Sequence, residues 1–285
     1  MQYRVIRRYL TGLTLTELAV VIAVMALLAG IALPAARMVM ASFESGDSAK
    51  SMISAALASA RALAAAKDSY VGVRFQKAYN PDAPDPLNPL TAPQYMIFIE
   101  KDGDPEPNGT GLANGFRAIE GCKPIKLPDS IGVMDLTLVN RVFTPPSAIS
   151  FTELPLDTDV EIDTLEELRD TTTFSVIFSP TGKLLMHEVR IRNRNGRRDS
   201  SPTASPDDVF NSKAQVDAGV GMFYQDDYLP MGLGPEYSRN RFFIYDRAKF
   251  RAAYQFVPPR AWSGYLGGLE AIYLNPYTGT IISKD

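Results

Sequence analysis

The chain has 285 residues, a formal net charge of −3 at neutral pH and 46% hydrophobic residues. This balance is ordinary for a folded protein, and the acidic character argues against a general nucleic-acid binder. Cys122 is the one cysteine, so the chain cannot form an internal disulfide. There is also one histidine, His187, so a typical zinc site built from several histidines and cysteines is excluded.

Residues 13–33 form a continuous apolar stretch in which Glu17 is the one charged side chain. At about 1.5 Å per residue, a helix over this stretch would be roughly 30 Å long, which matches the hydrocarbon core of a bilayer. The stretch therefore predicts a transmembrane helix. Basic residues hold the adjoining end of such a helix in the cytoplasm, and three arginines precede it: Arg4, Arg7 and Arg8. A carboxylate inside the helix is costly unless it is paired, which makes Glu17 a candidate functional residue.

The segment Gly12-Leu13-Thr14-Leu15-Thr16-Glu17 resembles the processing site of type IV pilins and of type II secretion pseudopilins. The resemblance implies that prepilin peptidase cuts between Gly12 and Leu13, and that the new amine of Leu13 is methylated. Glu17 would then pair with the N-terminus of a neighbouring subunit in a filament. Pro34 stands where many pilins carry a helix-kinking proline. Leu13 departs from the family pattern, which prefers Phe or Met at that position.

Two other interpretations of the N-terminus remain open. It could be an ordinary secretory signal peptide that is cut near Ala36, although the apolar run is long for one and Glu17 interrupts it. It could also be a plain signal anchor in which Glu17 has no role. In that case the remainder of the chain would be a membrane-anchored binding module.

Beyond Pro34 the helical pattern continues to about Lys67, and then the period changes to that of strands. Apolar residues spaced by three and four predict one packing face of the helix: Ile53, Ala56, Leu57, Ala60, Leu63 and Ala64. Alternating or continuous apolar runs predict strands at 70–75, 95–99, 123–127, 131–139, 172–178, 184–191, 241–245, 269–274 and 280–282. A turn at 179–182 should join two of them into a hairpin, and 246–254 should be a short helix.

Three short motifs extend the resemblance to the H-type minor pseudopilins. They are the helix end at 58–61 followed by YVGVRF (70–75), LPDSIGV (127–133) and FSPTGKL (178–184). The implied fold is α+β, with a long N-terminal transmembrane helix packed on a β-rich antiparallel head in a lollipop shape. The implied domains are a leader (1–12), a transmembrane and amphipathic helix spine (13–67), the head (68–192), an exposed loop (193–208) and a C-terminal extension of the head (209–285).

Few residues suggest other chemistry. Asp102, Asp104 and Glu106 lie in a glycine-containing loop and are weak candidates for a calcium site, although a plain acidic turn is the favoured explanation. The arginines at 190, 192, 194, 197 and 198 have acidic neighbours and read as a solvated loop, so nucleic acid is not an expected partner. No Walker A loop, nucleophile elbow or dinucleotide fingerprint is present, and we expect no enzymatic activity.

The sequence thus predicts a minor pseudopilin, a structural subunit of a periplasmic pseudopilus in type II protein secretion. The alternative is a minor type IV pilin involved in pilus priming, adhesion or DNA uptake. The expected partners are other pseudopilins or pilins in a filament, prepilin peptidase and an inner-membrane assembly platform. The expected location is the bacterial inner membrane, single-pass, with the N-terminus cytoplasmic and the head periplasmic. No cofactor is expected apart from the calcium candidate.

Overall fold

The computed structural model describes Val20 and residues 46–78, 88–102, 114–144, 148–192, 209–219, 221–225, 234–255 and 258–282. The chain divides into two compact units, Met1–Ser45 and Gly46–Asp285, and every element described below belongs to the second unit.

The described residues form five α-helices and sixteen strands. The helices are α1 (Gly46–Lys67), α2 (Leu165–Thr171), α3 (Lys213–Asp217), α4 (Arg247–Tyr254) and α5 (Ala261–Gly264). The strands are β1 (Val71–Lys77), β2 (Gln94–Lys101), β3 (Gly115–Ala118), β4 (Ile125–Lys126), β5 (Ile131–Met134), β6 (Thr137–Thr144), β7 (Ala148–Pro155), β8 (Phe174–Phe178), β9 (Leu184–Leu185), β10 (Glu188–Ile191), β11 (Phe210–Asn211), β12 (Phe223–Tyr224), β13 (Glu236–Tyr237), β14 (Arg241–Asp246), β15 (Ile272–Leu274) and β16 (Ile281–Ile282).

Helix α1 forms where the sequence predicts it, because it is rich in alanine, the strongest helix former. The predicted packing face is confirmed. Five of its residues are at most 4% exposed, and Leu63 packs at the margin of the same cluster: Ile53, Ala56, Leu57, Ala60 and Ala64. The helix ends where Asp68 adopts a left-handed conformation (φ +49°) and the Ser69 amide donates to the Ala64 carbonyl at 3.2 Å.

The main sheet has the strand order β13-β10-β3-β2-β1-β8-β9, and β4 pairs with β2 beside it. Strand β1 is central and buried along its whole length. Successive side chains of a strand point to opposite faces. Val71, Val73 and Phe75 join the core under α1, whereas Arg74 and Gln76 lie on the other face. That other face carries a second apolar cluster, which includes Phe210 and Phe223 from the C-terminal part of the chain.

A second sheet, with the order β16-β15-β14-β5, connects the C-terminal part of the chain to the head. Strand β14 pairs antiparallel with β5, from Phe243 opposite Met134 to Asp246 opposite Ile131. Phe242, Ile272 and Leu274 belong to the same buried cluster as α1. Helix α1 therefore packs over residues from both sheets.

The prediction of an antiparallel head is wrong in two places. Strand β3 pairs parallel with β10, and β11 pairs parallel with β12. The predicted hairpin at 172–191 is confirmed only at its turn, because β9 pairs with β8 for two residues before the chain leaves it. Ser238 stabilises this departure, since its hydroxyl donates to the Leu185 carbonyl (2.6 Å) and accepts from the His187 amide (2.8 Å). Strand β10 then joins β3 instead.

The predicted fold class and location both include a transmembrane helix, and the structure contradicts that part of each prediction. Within the described parts of the chain, no helix combines the length and the apolar character needed to cross a bilayer. The longest described helix, α1, carries Lys50, Arg61 and Lys67 and packs on the sheets through one face. The transmembrane and inner-membrane assignments, with a cytoplasmic N-terminus and a periplasmic head, are therefore corrected. Of residues 13–33, only Val20 lies within the described residues.

A buried polar network attaches residues 234–240 to the main sheet. The Arg74 guanidinium, 1% exposed, contacts Glu236 Oε1 at 2.6 Å and donates to Gln76 Oε1 at 2.7 Å and Ser175 Oγ at 3.1 Å. Glu236 also accepts from the Ser175 hydroxyl at 3.0 Å. Both groups are out of contact with water, so the opposite charge of each is needed to offset the other's loss of hydration.

The network continues through Arg239. Its Nε contacts Asp135 Oδ2 at 2.5 Å and its Nη2 lies 2.8 Å from Glu153 Oε1. Burial raises the pKa of Asp135 to about 7, against the opposing effect of Arg239. The Arg239 amide also donates to the Ser175 carbonyl at 2.7 Å. Two neighbouring arginines therefore join the 234–240 segment, the β6–β7 hairpin and the main sheet.

We expect Glu236→Gln to lower the free energy of unfolding by about 3–5 kcal/mol, because it leaves the Arg74 guanidinium buried without a counter-charge. Urea denaturation of both proteins measures this difference. The matched control is Glu188→Gln, which removes the partly exposed ion pair to Arg190 and should cost about 1 kcal/mol or less. Equal losses for the two variants would contradict the assignment of Glu236 as the partner on which Arg74 depends.

Candidate interaction surface on helix α1

The solvent-facing side of α1 carries almost no charge. Its exposed residues between the charged ends of the helix are alanines and serines: Ser51, Ala55, Ala58, Ser59, Ala62, Ala65 and Ala66. A helix face in contact with water normally carries charged and polar side chains. Small side chains instead allow another helix or loop to approach the backbone closely, because interaxial distance depends on the side chains at the contact. This small-residue face is therefore a candidate interaction surface.

A groove of about 350 Å³ lies beside this face. Helix α1 forms one wall through Ser54, Ala58, Arg61, Ala62 and Ala65. Two turns form the other wall: Thr181 and Gly182 between β8 and β9, and residues 278–280 between β15 and β16. The two turns are joined by the Leu184 amide, which donates to the Pro276 carbonyl at 2.8 Å. The α1 groove is thus built from elements of both sheets.

Glycine is required at the tip of each turn. Gly182 has φ +74°, and its carbonyl accepts from Arg61 Nε at 2.9 Å. A Cβ at Gly182 would lie 3.0 Å from Arg61 Nε, so any larger residue would push the arginine away from the turn. Gly279 has φ +67°, and a Cβ there would overlap the ring of Phe178. These glycines allow both turns to approach α1 and the core closely.

The groove is basic, although the chain is acidic overall. Arg61 is the one charged residue among the described residues that line the groove, and its Nε donates to the Gly182 carbonyl. Lys183 is exposed at the margin, where its Nζ lies 5.9 Å from the centre of the Tyr277 ring. Thr181, Thr278 and Thr280 add hydroxyl groups to the lining. Cations of this kind favour a partner that carries carboxylates.

The N-terminal candidates Gly12, Leu13, Glu17 and Pro34 lie outside the described residues, so their predicted roles stay predictions.

Of the three calcium candidates, the structure describes one. Asp104 and Glu106 lie outside the described residues, whereas Asp102 is partly buried and forms an ion pair with Arg192. Arg117 Nε lies 3.8 Å from the same carboxylate. Two guanidinium groups at this carboxylate oppose a divalent cation by charge repulsion. Across the described ranges, no group of three or more histidine, cysteine or acidic residues is arranged to hold a metal.

The remaining sequence candidates have local contacts. The His187 ring lies 5.4 Å from Tyr70 and 5.7 Å from Phe116, and its Nδ1 is 2.5 Å from the Glu188 carbonyl. Cys122 is half-buried at the margin of the main core. In the basic patch, Arg190 pairs with Glu188 at 2.7 Å and Arg192 pairs with Asp102, and the other three arginines lie outside the described residues.

Sequence reasoning missed the outer face of α1 and its groove. The inward stripe draws attention because it is apolar, whereas the outward alanines and serines look unremarkable in a helix. The informative signal is that residues 48–67 contain no glutamate, although their alanine-rich composition strongly favours a helix. The turn at 179–182 is predicted from the sequence, but its position beside α1 and beside residues 278–280 depends on long-range pairing.

We expect Gly182→Ala to lower the free energy of unfolding by about 1–3 kcal/mol, since alanine is strained at positive φ and displaces Arg61. Gly268→Ala is the matched control, because a Cβ at Gly268 meets no atom within 4 Å. Urea denaturation of the two variants and the wild type gives the comparison. If the two alanine variants were equally stable, the close approach of this turn to α1 would not be a constraint on the fold.

In comparisons with known proteins, no family model, no curated protein and no solved structure matches the chain.

Proposed function

We propose that the chain is a structural subunit of a pilin-like filament, a minor pseudopilin of type II secretion that prepilin peptidase matures between Gly12 and Leu13. The observation that carries the proposal is the two-sided character of α1. One side is buried under both sheets, and the other is exposed, small and nearly uncharged. A subunit that assembles through a helix needs both properties, since its own domain must hold the helix while a neighbour contacts it.

The sequence at the N-terminus supports the same proposal. The basic leader, Gly12 and a glutamate at the fifth position after it together resemble the prepilin processing site. Cleavage would create an ammonium group at Leu13. Glu17 of one subunit would pair with this ammonium of the next, which offsets the cost of a carboxylate in an apolar stretch and sets the register between subunits.

We expect mass spectrometry to find a mature N-terminus at Leu13, methylated, when the full chain is co-expressed with prepilin peptidase, and an intact Met1 without the enzyme. Gly12→Val should block the cut, because the peptidase pattern has glycine before the cleaved bond. Gly30→Val is the matched control, since it places the same substitution in the apolar stretch away from the cut, and it should be processed normally. A chain that keeps Met1 with the enzyme present, or that is cut near Ala36, would rule out the proposal.

A second experiment separates a filament subunit from a binding module. We expect Glu17→Ala to be processed normally but to be lost from filaments that are assembled with the other subunits, because the N-terminal ammonium loses its partner. Co-purification with sheared filaments measures incorporation. Glu270→Ala, which removes an exposed carboxylate of the second unit, should be incorporated like the wild type. If Glu17→Ala were also incorporated normally, Glu17 would not be an assembly residue and the filament proposal would fail.

A further inference from the structure

An acidic segment lies on a different part of the domain from the α1 groove. Residues 157–167 contain six carboxylates and no basic residue: Asp157, Asp159, Glu161, Asp163, Glu166 and Glu167. The segment is fixed in place by Ile162, which is fully buried, and by the buried Leu156 just before it, both in the cluster around α2, α4 and α5. Because the backbone is anchored, the segment presents its carboxylates in one arrangement.

Three of these carboxylates have structural roles. Asp157 accepts from the amides of Asp159 and Val160, at 2.8 and 3.0 Å. Glu161 accepts from the amides of Trp262 and Ser263, at 2.6 and 2.9 Å. Glu167 accepts from two amides at the start of α2.

The other three, Asp159, Asp163 and Glu166, are exposed. Among the described residues they form no ion pair, so their charges face solvent. The acidic segment therefore presents a cluster of negative charge that none of the residues described by the structure neutralises through an ion pair.

The α1 groove has complementary properties. Its lining carries one charge, that of Arg61, and Lys183 adds a second cation at the margin. The wall formed by α1 includes Ala58, Ala62 and Ala65, which present no long side chain that would block a loop. A basic groove and an acidic segment on one chain form an oppositely charged pair of surfaces.

We propose that the α1 groove binds the acidic segment of a second copy of this chain. The two surfaces are different, so the contact is heterologous, and it propagates from copy to copy instead of closing on itself as a two-fold dimer does. This inference rests on the proposed function and extends it by naming the partner of the α1 surface. A second copy is the occupant that the structure favours, because the same molecule supplies both the charge and its complement.

The test uses the full-length chain and two charge variants. The groove variant carries Ala62→Glu and Lys183→Glu, which place carboxylates in and beside the groove without touching Arg61 and its bond to Gly182. The segment variant carries Asp159→Lys and Glu166→Lys, which leave the structural carboxylates intact. Lys123→Glu is the matched control, since it reverses an exposed charge outside both surfaces. Unchanged circular dichroism and melting temperature establish that each variant is folded.

Sedimentation velocity should show concentration-dependent association of the wild type at about 100 µM, weaker at about 0.5 M salt than at about 0.05 M, because salt screens exposed charges. Each variant should associate about tenfold more weakly, and the control should match the wild type. An equimolar mixture of the groove and segment variants should form dimers but nothing larger. In that mixture the intact segment of one variant fits the intact groove of the other, and no second contact is available.

The proposal is overturned if the wild type stays monomeric, if the control weakens association as much as the variants do, or if the mixture associates no better than either variant alone. These outcomes are separable from the proposed function, because N-terminal processing depends on neither surface. A Leu13 N-terminus with a monomeric chain would retain the filament subunit and reject self-docking. Self-association of a chain that keeps Met1 would support self-docking and reject the filament subunit.

Discussion

The packing of α1 across two sheets is the contact on which the rest of the domain depends. Its inner stripe meets β1 and β8 of the main sheet together with Phe242, Ile272 and Leu274 of the second sheet. Without that stripe the two sheets would share much less apolar surface, since the pairs within each sheet are formed by its own strands. Each large apolar side chain buried in this cluster contributes about 1.5–3 kcal/mol to stability.

The opposite face of the main sheet is closed in a different way. Apolar residues such as Phe210 and Phe223 cover part of it, but the 234–240 segment is held by buried charges. A buried ion pair is a poor source of net stability, because both ions lose their hydration. It is, however, specific in geometry. Arg74 and Arg239 therefore fix where the C-terminal part of the chain crosses the sheet, which brings β14 to β5 and the β15–β16 turn to α1.

The same arrangement produces the surface to which we assign function. Both turns beside α1 contain a glycine at positive φ, and Arg61 attaches one of them directly to the helix. The helix therefore packs on the core along one side and is bordered on the other by two turns, which leaves a basic groove whose α1 wall consists mostly of small residues. The acidic segment at 157–167 gives the chain a second surface of opposite charge, held by its own cluster around α2.

The sequence by itself determined the elements whose signal is local. The apolar spacing of α1, the alternation of β1, the apolar run of β2 and the turn at 179–182 all follow from contacts within a few residues, and the structure confirms them. It did not determine strand partners. The chain leaves β8 after β9 because Ser238, some fifty residues later, forms hydrogen bonds with Leu185 and His187, and β10 then pairs in parallel with β3. The predicted membrane-spanning helix was wrong for the described chain, where no helix is long and apolar enough to cross a membrane. The helix that organises this domain is identified by the spacing of its apolar residues and not by the length of an apolar run.

The candidate surface was decided by tertiary structure for the same reason. Leu63 and Ala64 are neighbours in sequence, and the pattern shows that they face the core, but nothing local shows that residues 181–182 and 278–280 border the opposite side. That proximity requires β8, β9, β15 and β16 to be paired and α1 to lie across both sheets. Sequence records the preferences of each segment, whereas a groove between segments exists only once long-range packing has brought them together.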